Sequence, residues 1–140
     1  VVFRCDVKSS FNDRGKAKQL LDFSECVNDG RKSLMDLDFL LEYENKFYIL
    51  GESKLRGFKI PLGEEIALTR LVDDLSKVKP AILIIVDHDV LNPAEDIFLK
   101  DSTVRKFRYN CKWTDVQDKK ISTKNFIAGF ISFQNKQVRK

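Results

Sequence analysis

The chain has 140 residues, 43% of them hydrophobic and 33% charged, which excludes an intrinsically disordered chain and predicts one globular domain over residues 1–140. No apolar run approaches the roughly 18 residues a membrane span needs, and Val1-Val2-Phe3 breaks at Arg4 and Asp6, unlike a signal peptide, so no membrane partner is expected. The net charge of +4 permits a polyanionic partner without demanding one.

In chain order, residues 1–7 are β-prone and predict a short strand. Residues 13–28 predict a helix capped by Asn12 or Asp13, with Ala17, Leu20, Phe23, Cys26 and Val27 near helical spacing and Asn28-Asp29-Gly30 as a stop. Residues 34–56 hold two apolar runs that meet at a polar turn, the pattern of a β-hairpin. A loop with Arg56, Gly57, Phe58, Lys59 and Pro61 follows. Residues 63–78 form the clearest helix: Leu68, Leu71, Val72 and Leu75 make its inner stripe, and Glu64 and Glu65 suit the positive end of its dipole.

Pro80 ends that helix, and Ala81 to Val86 run without a polar residue, as in a central strand buried on both faces. Asp87-His88-Asp89 closes the strand as a polar end. Residues 90–103 read as a loop or short helix around Asn92-Pro93. Residues 104–113 predict one half-buried strand, with Phe107, Tyr109, Cys111 and Trp113 on one side and Arg108, Asn110 and Lys112 on the other. A polar connector at 114–120 leads to a last helix near Ser122, with Phe126, Ile127, Phe130 and Ile131 inward and an Ile121–Phe126 staple. The fold class is therefore α/β, a central mixed sheet flanked by helices.

Cys5, Cys26 and Cys111 are odd in number and far apart, which argues against a disulfide framework. They predict buried thiols and an intracellular, reducing, cytoplasmic setting. A single histidine, His88, argues against His-rich metal hydrolases, and zinc-site spacings are absent.

The hairpin carries the chemistry, and its register decides what that chemistry is. A two-residue turn at Asn45-Lys46 sets Glu52 opposite Phe39 and turns Asp38 away. A three-residue turn at Glu44-Asn45-Lys46 pairs Tyr43 with Phe47, sets Asp38 opposite Glu52 and Asp36 opposite Lys54, and sorts polar from apolar residues onto separate faces. That register is expected. Acid-x-Lys occurs four times in the chain, but only Glu52-Ser53-Lys54 ends an apolar strand with acids upstream at hairpin distance. Phosphodiesters are anionic and resist attack by water. A divalent cation neutralises that charge and acidifies bound water. Mg²⁺ is held by one or two carboxylates together with waters and phosphate. Asp38 and Glu52 are the natural pair, and Lys54, two residues on, points the same way to orient or deprotonate the attacking water.

Leu37-Asp38-Phe39-Leu40-Leu41, a short turn and Tyr48-Ile49-Leu50-Gly51-Glu52-Ser53-Lys54 resemble the active-site hairpin of the PD-(D/E)xK nuclease superfamily, the restriction-endonuclease-like enzymes. The resemblance spans roughly residues 13–88, although Met35 rather than Pro precedes Asp36. It implies a restriction-endonuclease-like core and cleavage of DNA as an endonuclease or exonuclease. Mg²⁺, replaceable by Mn²⁺, would be bound by Asp38, Glu52 and the Ser53 backbone carbonyl, with Lys54 at the water. Asp36 competes with Asp38 for the first acid. Glu25 on the first helix and Glu65 on the helix after the hairpin are the accessory acids the resemblance suggests.

Arg56 and Lys59 stand ready to hold phosphates just past the site. Arg105, Lys106, Arg108 and Lys112, interleaved with aromatics, suit a nucleic-acid backbone. DNA is the expected partner, RNA stays open, and a homodimer is an assembly this reading allows. The alternative is an inactive nuclease-like domain that binds nucleic acid or a partner protein.

Overall fold

The computed structural model describes residues 21–27 and 34–138. The chain divides into two units, Val1–Met35 and Asp36–Lys140. In the first unit, the strand expected at 1–7, Cys5, and residues 13–20 and 28 of the expected helix lie outside the described residues. Residues 21–27 form a turn instead of a helical end. Asp22 Oδ1 accepts the Ser24 N–H at 2.8 Å, a local bond that competes with the helical pattern, and Glu25 has φ 62°. Glu25 and Cys26 are exposed.

In the second unit five strands form one sheet in chain order: β1 (Phe39–Tyr43), β2 (Phe47–Leu55), β3 (Ala81–His88), β4 (Thr103–Tyr109) and β5 (Lys112–Asp115). β2 and β3 are parallel, joined through helix α1 (Leu62–Ser76); the other neighbours are antiparallel. A second helix, α2 (Thr123–Val138), completes an α/β unit with a mixed sheet between helices. Among the described residues no helix is long and apolar enough to cross a membrane.

The two sheet faces follow from strand alternation. Phe47, Ile49, Ile82, Ile84, Val86 and Val104 pack with Phe130 of α2, while Leu50, Leu83 and Ile85 pack with Leu68 and Val72 of α1. β3 therefore loses solvent on both sides, as its unbroken apolar run predicts, and burial extends through Asp87. Ser122 caps α2 through its Oγ to the Asn125 N–H at 3.1 Å, and Ile121 and Phe126 both join the same core.

Five expectations change in this unit. The strand expected at 104–113 is a hairpin, because Asn110 and Cys111 take left-handed φ of 51° and 61° and turn the chain. Trp113 consequently pairs with Arg108 and faces the α1 side, away from Phe107 and Tyr109. Cys111 lies at that turn, exposed rather than buried, and β5 takes up the start of the expected polar connector. Leu71, expected inward, lies 42% exposed.

Candidate functional site

The hairpin adopts the three-residue turn. Tyr43 pairs with Phe47 and Phe39 with Gly51, with Glu44 and Asn45 in left-handed conformations and the Lys46 N–H bonded to the Tyr43 carbonyl at 2.7 Å. The regular ladder stops at Phe39, and Asp38, the next residue out, stands at the level of Glu52. Its Oδ2 accepts the Ser53 N–H at 2.7 Å, so a side chain takes over where backbone pairing ends. The Phe39 ring lies over Gly51, where a Cβ would come within 1.7 Å of Phe39 Cζ. A side chain there would displace the Phe39 ring.

Glu52 and Lys54 alternate onto the α1 face with Leu50. Glu52 is 3% exposed, and its Oε2 has no hydrogen-bond partner. Burial pushes its carboxyl up to about 8, helped by a hydrogen bond with Glu64 and by the charges of Asp38 and Glu64. Lys54 Nζ lies 3.6 Å from Glu52 Oε1 and 3.3 Å from Glu64 Oε1. Burial pulls the Lys54 ammonium down, but the Glu64 hydrogen bond and the neighbouring carboxylates outweigh it and hold it above the usual lysine range.

Glu64, expected only as a partner of the helix dipole, joins the site. Its signal was present: Glu64, Leu68 and Val72 recur at four-residue spacing, so Glu64 lies on the stripe that faces the sheet. Glu65, the expected accessory acid, is turned about 100° further round the helix. It meets Lys106 at 2.8 Å, and Asp73, two turns on, takes Arg108 through two hydrogen bonds of 2.8 and 2.7 Å. Lys106 also sits 4.4 Å above the Trp113 ring.

The remaining expected residues separate. Asp36 is exposed and outside the strand, and Lys54 finds Glu52 and Glu64 in its place. Ser53 alternates to the opposite face, where its Oγ is buried without a partner, while its N–H serves Asp38. Arg56 bonds Asp89 at 2.7 and 3.2 Å and Thr103 at 3.0 Å. Arg105 reaches Asp87 at 2.9 and 2.5 Å from the irregularity in the β3–β4 ladder between Ile85 and Val86. Asp87, expected as part of a polar strand end, is fully buried and in register with Lys54. Its Oδ2 lies 3.7 Å from Arg56 Nη1. Lys59 and Lys112 are exposed.

Asp38, Glu52, Lys54 and Glu64 thus form one charged cluster at the end of β2, beside the start of α1. Among the described residues no three His, Cys, Asp or Glu side chains stand as a metal-holding group. The donors nevertheless fit a hard cation held through one or two carboxylates: they are all oxygens, one buried oxygen lacks a partner, and burial, helped by the acids beside it, favours the protonated form of Glu52. No family model, curated protein or solved structure matches the chain.

Proposed function

We propose that the unit Asp36–Lys140 is a metal-dependent nuclease of PD-(D/E)xK type, with a restriction-endonuclease-like core, hydrolysing DNA phosphodiesters. The observation that carries this reading is the buried Glu52 carboxyl, with its partnerless Oε2, packed against two further carboxylates and one ammonium. A buried acid surrounded by acids is costly to a fold unless a cation or a proton relieves it.

Asp38 and Glu52 would hold Mg²⁺ or Mn²⁺, with Glu64 or the Ser53 carbonyl as a further oxygen donor. A bound divalent ion supplies charge neutralisation at the phosphate and acidifies its water. The chain's own residues set the rest. Asp38 is fixed by the Ser53 N–H, so one of its oxygens stays oriented while the other remains available. Lys54, held protonated by its carboxylate neighbours, acts as a cation that orients the attacking water or steadies the phosphate, rather than as the base. Glu64 positions the Lys54 ammonium through their 3.3 Å contact. Lys59, exposed just past the site, is the cation left to meet an adjacent phosphate, since Arg56 is held by Asp89 and Thr103.

The purified chain should nick or cut DNA with Mg²⁺ or Mn²⁺ and stop in EDTA. Retained nucleic-acid binding with no cleavage of any DNA or RNA form would support the inactive binding module instead.

A further inference from the structure

Nine residues separate Lys54 from Glu64, yet the two side chains meet at 3.3 Å. Residues 55–63 therefore form a closed loop whose base is the candidate site itself. The loop is pinned at several points. The Arg56 N–H donates to the His88 carbonyl at 2.8 Å, the Phe58 N–H closes a turn onto the Leu55 carbonyl at 3.0 Å, and Ile60 is buried against the α1 face. Gly57 has φ +89°, which suits the third position of that four-residue turn and favours glycine. The backbone is thus built to present Phe58, which remains 63% exposed, with Leu62 74% exposed four residues on. Lys59, the next residue in the chain, is exposed as well, whereas Arg56 is held by Asp89 and Thr103.

Of the four cations expected to form a long backbone track, three are committed elsewhere, Arg105 to Asp87, Lys106 to Glu65 and Arg108 to Asp73, which leaves Lys112 exposed. A continuous duplex is gripped chiefly through many phosphate contacts. An exposed ring next to an exposed lysine is instead a combination that holds unpaired nucleotides, by stacking with backbone neutralisation.

We propose that the crown of loop 55–63 is a stacking platform for an unpaired base, so that the substrate is DNA with a single-stranded nucleotide beside the scissile phosphate. This rests on the nuclease reading of the adjoining site and deepens it. Free single strands and single-stranded flaps share that chemistry, and the substrates of the test separate them.

The full chain is given Mg²⁺ or Mn²⁺ and four labelled substrates: a DNA single strand, an RNA single strand of the same sequence, a blunt DNA duplex, and the same duplex with a single-stranded flap. Binding to each is measured in parallel by anisotropy without metal. The single strand or the flap should be cut faster than the blunt duplex. Phe58→Ala should weaken single-strand binding about tenfold, Phe58→Trp should restore it, and neither should move the melting temperature. Cutting confined to the flapped duplex assigns the branched form; cutting of both unpaired forms assigns the free strand as sufficient. Equal cutting of blunt duplex and single strand, or unchanged binding by Phe58→Ala, overturns the platform. Preference for single-stranded RNA over DNA overturns the DNA assignment. Absence of cutting on every substrate counts against the nuclease reading alone, and the binding comparison still decides the platform.

Discussion

Asp38 Oδ2 accepts the backbone N–H of Ser53 at 2.7 Å, fifteen residues along the chain and across the hairpin. This bond anchors the first acid to the strand that carries the second. Asp38→Asn keeps an acceptor of the same shape but removes the charge. It should leave the melting temperature nearly unchanged while weakening Mg²⁺ binding by at least about tenfold. Asp38→Ala removes both and should cost about 1 kcal/mol of stability in addition, read from urea titration. A charge-neutral Asn variant that bound metal as wild type would remove Asp38 from the site.

Glu52 gives the metal-free protein a pH signature. Its folded carboxyl titrates at about 8, against an ordinary value of 4.5, so the folded state holds its proton more tightly than the unfolded state. Stability from this group is complete below pH 4.5 and is lost as pH rises towards 8, with a slope of at most about 1.4 kcal/mol per pH unit. Glu52→Gln should flatten that slope and melt higher than wild type at pH 8 without metal. An unchanged pH profile in the variant would show that Glu52 is not the titrating group.

The same proton must leave when a cation binds. Mg²⁺ affinity should therefore rise from pH 6 to pH 8, and calorimetry in buffers of different ionisation enthalpy should detect proton release. Glu52→Gln should lose both the release and most of the affinity. Binding that ignores pH over this range would contradict the arrangement.

Glu64 and Glu65 are adjacent in sequence but turned to different partners, Lys54 and Lys106. Glu64→Gln should reduce cleavage with little effect on DNA binding, whereas Glu65→Gln should leave cleavage intact and cost at most about 1 kcal/mol of stability. Lys54→Ala should lower cleavage about 10²–10³-fold and spare DNA binding, as expected when a positioned charge is removed. Equal effects of the two glutamate substitutions would mean that helix phase does not select the functional acid.

Gly51→Ala places a methyl group where Phe39 already lies, 1.7 Å from Cζ. The ring must move, with a cost of about 1–3 kcal/mol. Because Asp38 precedes Phe39, metal affinity should fall with stability. Phe39→Ala in the same chain should make the pair less costly than the sum of the two single changes, since the clash is gone. Strict additivity would show that the two residues are independent.

Much of this architecture was legible in local pattern. The unbroken run Ala81 to Val86 specifies a strand without a solvent face, and β3 is that strand. The Leu68–Val72 stripe, the Ser122 cap and the three-residue turn that levels Asp38 with Glu52 all depend on neighbours close in sequence, so side-chain periodicity and turn chemistry suffice to find them. Periodicity failed where a turn interrupts it. Asn110-Cys111 reverses the chain with two left-handed residues that an alternating pattern conceals, and this moved Trp113 to the other face.

What the sequence by itself determined was the element order and which of four acid-x-Lys triplets ends a buried strand. Only the tertiary structure decided how the charges are partnered. A step of about 100° in helix phase on α1 brings Glu64, not Glu65, to Lys54, and the β3–β4 ladder brings Arg105 to Asp87 across 18 residues. Such pairings depend on burial and on distances between segments remote in the chain. An acid or a guanidinium looks alike in sequence whether it faces water, a substrate or an opposite charge, and only the fold distinguishes them.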